Sequence, residues 1–195
     1  MTVASALPAK SASRSAGLVQ LAAVAVGTGI LIARPAIAST LGWSTPVVVA
    51  VFVTVGVLGL APPTGRDRSR RAPFTVHLAV LGAGAVVFAA ARILVSGHSP
   101  APATALLVAL NTLAAVGEEA LFRRLAFDTL LVAGPAVAVG GSALLFGLVH
   151  VTVYGWSAFP LDVAAGAVFG WQRWASGTWT VPAMTHALAD LLVVI

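Results

Sequence analysis

Seven long apolar runs, each cut from the next by a short polar or Gly/Pro break, constrain this chain more than any other feature. They cover approximately residues 17–38, 46–62, 74–96, 103–132, 135–153, 158–174 and 178–194. About 20 apolar residues in a row are what an α-helix needs to cross the hydrocarbon core of a bilayer. The breaks fall at Gly42-Trp43-Ser44-Thr45-Pro46, Pro62-Pro63-Thr64-Gly65, Ser96-Gly97-His98-Ser99-Pro100, Gly134-Pro135, Tyr154-Gly155 and Ser176-Gly177. Of the 195 residues 59% are hydrophobic and 9% charged, with mean hydropathy +0.99, far beyond what a soluble domain of this length needs. The expected fold is all-α: a polytopic integral membrane bundle of about seven transmembrane helices.

The charge pattern orients such a bundle. The net charge of +5 does not point to nucleic acid, because its densest block, Arg66-Asp67-Arg68-Ser69-Arg70-Arg71, lies between two apolar runs. Cytoplasmic loops carry that kind of positive excess. Together with Lys10 and Arg14 it places the N-terminus inside. Arg34 and Arg92 then fall near outward span ends, where they are expected to snorkel. The first run also ends in Pro35-Ala36-Ile37-Ala38, a signal-peptidase pattern, but Arg34 and the length of the run favour a retained span. With no cysteine, thiolate chemistry, disulfides and Cys-based metal sites are excluded. The chain divides into a polar tail (1–16), N-terminal spans (17–99) and a core (100–195), with no internal repeat. Trp156, Trp171, Trp174 and Trp179 suit an interfacial belt, and Ala164, Ala165, Gly166, Ala167 and Gly170 suit close helix contact.

Against this background Glu118-Glu119-Ala120-Leu121-Phe122-Arg123 stands out. An unpaired charge at the centre of a membrane helix costs roughly 2.5–3.5 kcal/mol on insertion scales, so ionisable residues there mark functional sites. Glu119 and Arg123 are four apart and share a helix face, which suits an ion pair. Glu118 is rotated by about 100° and is left to face a cavity. Gly134-Pro135 breaks the chain into a helical hairpin, with Glu118 sixteen residues before Gly134 and His150 sixteen after it. At about 1.5 Å per residue the two reach similar depth. Phe146 lies one turn before His150 on the same face. His186 and Asp190, again four apart, share a face of the last helix.

Two chemistries fit this set. Glu118, His150, His186 and Asp190 can ligate zinc, whose catalytic sites use three protein ligands plus water. Equally, Glu118 can act as base on water with His150 sharing the proton, and His186 as a donor to the developing oxyanion. Asp162 is expected to make a helix–helix polar contact. His77 and His98 are expected to lie outside the site.

The ordered set Glu118-Glu119-x-x-x-Arg123, Phe146-x-x-x-His150 and His186-x-x-x-Asp190, on separate apolar helices, resembles the CPBP (ABI) family of intramembrane proteases. That family includes the CAAX-processing endopeptidases and relatives linked to bacteriocin processing and immunity. The segment from Phe169-Gly170-Trp171 to Ser176-Gly177-Thr178-Trp179 is similar as well, and the likeness covers residues 100–195. It implies an intramembrane endopeptidase acting on a membrane-associated protein or peptide, with or without zinc. Glu118 and His150 would activate water, Glu119 and Arg123 would support them, and His186 and Asp190 would complete the site. Arg124 replaces a frequent family glycine and needs headgroup, water or Asp128 as partner. Asp190 replaces a frequent asparagine, which tilts the expectation towards metal, because an ionised Asp cannot donate to an oxyanion. The competing readings are a non-catalytic scaffold or immunity protein and a small proton-coupled transporter.

Overall fold

A computed structural model describes residues 9–42, 44–61, 71–94 and 104–194. Most of the polar tail, the arginine-rich loop before Arg71, the break at 96–100 and His98 lie outside the described residues. Every regular element in the described residues is helical. The elements are α1 (Ala9–Leu41), α2 (Thr45–Gly59), α3 (Phe74–Leu94), α4 (Ala105–Glu119), α5 (Phe127–Leu130), α6 (Pro135–Tyr154), α7 (Phe159–Ser176) and α8 (Thr180–Val194). A π-helical stretch, Ala120–Ala126, joins α4 to α5, and a 3₁₀ turn, Leu131–Ala133, ends that rod. The result is seven rods, as the run count predicts. The long fourth rod differs from the expectation in being wound three ways along its length.

Four stretches are long and apolar enough to cross a membrane: Ser15–Leu41, Phe74–Leu94, Ala105–Ala133 and Pro135–Tyr154. The remaining rods are shorter or carry more charge. At 15 residues, α2 and α8 are each about 22 Å long, less than the ~30 Å hydrocarbon core. The outward faces are apolar, with Leu18, Val86, Ile93, Leu94 and Val132 largely exposed. Such a surface is a liability in water and the ordinary exterior of a membrane protein. The chain is an all-α integral membrane bundle.

Because lipid is as apolar as leucine, small and polar residues rather than large apolar ones mark the faces that pack. On α1 the buried positions are Gln20, Ala23, Gly27, Leu31, Arg34 and Ala38, spaced by three or four residues along one stripe. On α2 and α4 the contact is made by glycines. A Cβ on Gly117 would sit 2.7 Å from the Phe52 carbonyl oxygen, and one on Gly59 would run into the Ala120 backbone. The α6–α7 pair closes the same way, through Gly166 against Ala143 and Gly170 against Val139, whereas Ala164 faces outward.

The hairpin turn is as expected. Gly134 takes φ 108°, open to glycine but not to a residue with a Cβ, and Pro135 starts α6 at a position whose N–H needs no helical partner. One end of the bundle gathers cations. Arg124 donates to the carbonyls of Gly59 (2.7 Å) and Ala61 (3.0 Å), and so caps the end of α2. Arg173 pairs with Asp128 at 2.7 Å. Arg124 therefore finds backbone carbonyls rather than the expected headgroup, water or Asp128.

Candidate active site

At the opposite end of the bundle lies a cavity of about 350 Å³, walled by α1, α2, α4, α6 and α8. Its polar lining is Arg34, Asn111, Glu118, His150, Tyr154, His186 and Asp190. The separation along the helices explains the location. Tyr154 ends α6, Asp190 lies in the last turns of α8, and Asn111 lies in the second turn of α4.

The hairpin geometry delivers Glu118 and His150 to each other. Glu118 Oε2 stands 3.7 Å from His150 Nε2. That gap is too long for a direct hydrogen bond and short enough for one water to touch both. The His150 ring is held from behind: Nδ1 lies 2.8 Å from the Phe146 carbonyl of its own helix. A carbonyl only accepts, so Nδ1 carries the proton and Nε2 of the neutral ring turns its lone pair to the cavity. Phe146 packs its ring against His150, 4.4 Å between centroids, and stands edge-on to His186 at 5.5 Å. It is a wall of the site, as its spacing implies.

Behind the cavity lies a second ionic layer. Glu119 and Arg123 are fully buried, with Arg123 Nη1 donating to Glu119 Oε1 at 3.0 Å. Arg123 Nη2 donates to the Gly166 carbonyl, and the guanidinium lies over Phe146 at 4.5 Å and Phe169 at 5.2 Å. His186 Nδ1 also reaches Glu119 Oε1 at 3.0 Å, which fixes that ring as firmly as His150. The π-helical winding begins directly after Glu119 and carries Arg123. Such segments widen a helix locally and are frequent at functional sites. Nothing in the residue types announces it.

The structure brings all six sequence-identified residues together, but it changes the setting of one. Glu118 is not left without a partner, since Arg34 Nη1 donates to its Oε1 at 3.0 Å within the protein. Arg34 does not snorkel. Arg92 does not either, and donates to the Leu192 carbonyl at 2.9 Å. His186 and Asp190 share a face, with Nε2 and Oδ1 3.7 Å apart. Asp162 makes no helix–helix bond through Oδ2, which is buried without a partner among the described residues. His77 braces α3 against the Ser176 carbonyl at 2.9 Å, away from the cavity. The residues that sequence reasoning missed had signals. Asn111 is two turns before Glu118, Tyr154 is one turn after His150, and Arg34 is an ionisable residue within a span.

The donor arrangement bears on the zinc expectation. Among the described residues no group of three or more His, Cys, Asp or Glu side chains is gathered to hold a metal ion. Each candidate ligand spends one atom within the protein: Glu118 Oε1 on the cationic Arg34, His150 Nδ1 on a carbonyl, and His186 Nδ1 on Glu119. Glu118 Oε2, His150 Nε2 and His186 Nε2 are the atoms left that could serve a metal, and a carbonyl or carboxylate behind one ring nitrogen is the usual support of a metal-ligating histidine.

Comparison with known proteins points to the same stretch of chain. The family model described as type II CAAX prenyl endopeptidase Rce1-like matches residues 100–192. No curated protein and no solved structure matches. The matched segment contains every sequence-identified site residue, and leaves out Arg34, Val48 and Phe52 of the cavity wall.

Proposed function

From the match of residues 100–192 to the family model of Rce1-like type II CAAX prenyl endopeptidases, we propose that this chain is an intramembrane endopeptidase. Its substrate is a membrane-associated protein or peptide, and the attacking water is activated by Glu118 and His150. The observation that carries this reading is the 3.7 Å gap between Glu118 Oε2 and His150 Nε2, two acceptors facing one cavity. A water there gives one hydrogen to each and turns its lone pair to a scissile carbonyl carbon. Glu118 takes the proton as the new C–O bond forms. It returns that proton to the amide nitrogen as the C–N bond breaks, so the carboxylate is regenerated.

Asn111, and His186 when both its ring nitrogens are protonated, line the cavity as donors for the oxygen that becomes negative. Glu119 and Arg123 do not line the cavity, which supports a role in holding His186 rather than in touching substrate. The proposed setting is a bacterial plasma membrane with the N-terminus in the cytoplasm, supported by the arginine block at 66–71.

The test is hydrolysis of a prenylated peptide with a CAAX end, alongside unprenylated membrane peptides, by the full chain in proteoliposomes. Glu118→Gln and His150→Ala are each expected to lower kcat/KM by about 10²–10⁴, the range of general-base contributions. Full activity in both variants would sink the roles given to Glu118 and His150, and no hydrolysis by the unaltered chain would leave the scaffold reading. Chelator treatment separates the two chemistries: an unchanged rate supports activation by Glu118 and His150 alone, and a loss restored by added zinc shows that a metal takes part.

A further inference from the structure

We infer that Arg34 is a positioning residue of this site, acting on the reaction through Glu118. The inference takes its meaning from the peptidase reading above, while the contact itself rests on packing. Arg34 belongs to α1, outside the residues that match the family, so the matched segment by itself does not build the whole site.

Three observations carry it. The first is the stripe on α1. Gly27, Leu31 and Arg34 fall at i, i+4 and i+7 and are all buried. That spacing aims Arg34 into the bundle on the same face as Gly27. At Gly27 α1 packs closely on the π-helical stretch, for a Cβ there would lie 2.7 Å from Leu121 Cδ1. Helix approach and side-chain direction thus agree.

The second observation is how the two oxygens of Glu118 are used. Arg34 Nη1 takes Oε1 at 3.0 Å, and Oε2 is left facing His150 Nε2. A carboxylate on a three-bond stem swings freely unless one oxygen is anchored. With Oε1 anchored, Oε2 has one place to be, and that place is beside the imidazole. Placement of a base to well under an ångström is what such an anchor supplies.

The third is that this pair is not built for stability alone. Arg34 Nε is buried without a partner among the described residues. A buried ion pair with an unsatisfied donor is poorer for stability than an apolar replacement of similar volume. Its position against the base, in the cavity wall, gives the guanidinium a use that packing does not.

The experiment compares Arg34→Met, Arg34→Lys, Glu118→Gln and the Arg34→Met/Glu118→Gln double variant, all in the full chain. Hydrolysis is followed with the prenylated peptide in proteoliposomes, and thermal unfolding in detergent. Arg34→Met is expected to lower kcat about 100-fold with KM within about threefold, since the loss is of alignment rather than of binding. Arg34→Lys, which keeps a cation on a long stem, recovers at least about a tenth of the wild-type kcat. In unfolding, each single variant strands a buried charge and the double variant does not, so the Tm losses are non-additive.

Wild-type kcat in Arg34→Met would overturn the positioning role, and additive Tm losses would overturn the pair. Wild-type activity in Glu118→Gln would overturn Glu118 as the base of the peptidase reading, and the positioning role with it, whatever the unfolding shows. An activity loss in Arg34→Met that only tracks the fraction unfolded, with no recovery by lysine, would reduce Arg34 to a structural residue.

Discussion

The Glu119–Arg123 pair shows what a fully buried ion pair needs. Both side chains have zero exposure; Arg123 Nη1 and Nη2 are bonded and the guanidinium lies over two ring faces, while Glu119 Oε2 and Arg123 Nε are buried without a partner among the described residues. Glu119 Oε1 serves two donors at once, Arg123 and His186, so it links the ionic layer to the cavity. Removing one partner leaves the other charged and buried, which costs about 3–5 kcal/mol. Glu119→Gln is therefore expected to destabilise the bundle by about that amount, measured by SDS-titration unfolding, and to free the His186 ring. A change below about 1 kcal/mol would contradict the burial described here. The i, i+4 spacing made this pair legible in the sequence. It could not show that Glu118 has its own cation, because Arg34 lies 84 residues away and no local pattern connects them.

At the scale of elements, glycine contacts set where the charged residues end up. Gly117 directly precedes Glu118 and lies against the Phe52 carbonyl, so α2 fixes the depth and rotation of α4 at the site. Gly117→Ala puts a Cβ 2.7 Å from that oxygen, with backbone on both sides and no flexible side chain to yield. It is expected to destabilise by about 1–3 kcal/mol and to lower activity. Gly29→Ala is the control: nothing described lies within 4 Å of a Cβ there, and alanine favours helix by up to about 1 kcal/mol. Equal losses in the two variants would show that the α2–α4 contact is not specific. The hairpin about Gly134-Pro135 was legible because Gly and Pro act through local backbone geometry. The π-helical winding of Ala120–Ala126 was not, since it is decided by what packs around Arg123.

For the whole molecule, the two ends of the bundle differ in charge. Arg71, Arg124 and Arg173 gather at one end, and the cavity with Glu118, His150 and Asp190 lies towards the other. The proposed orientation, with the arginine-rich end in the cytoplasm, would open the cavity towards the outer half of the bilayer. A chain without cysteine allows a direct check. Single cysteines at Ser44 and Trp156 are expected to react with an impermeant maleimide added outside intact cells, and those at Val132 and Thr178 only after lysis. The reverse pattern would invert the orientation and turn the cavity to the cytoplasm. The sequence alone determined the bundle, its seven rods, the central hairpin and the catalytic candidates. Span length, breakers and helical spacing are all local, and lipid leaves a chain few alternatives to helix. Tertiary structure alone decided that Arg34 belongs to the site and that Arg124 caps α2. Each of these depends on which faces of separate helices meet, and in a lipid-exposed chain apolar residues cover every face. Only the packed bundle shows which side chains point inward.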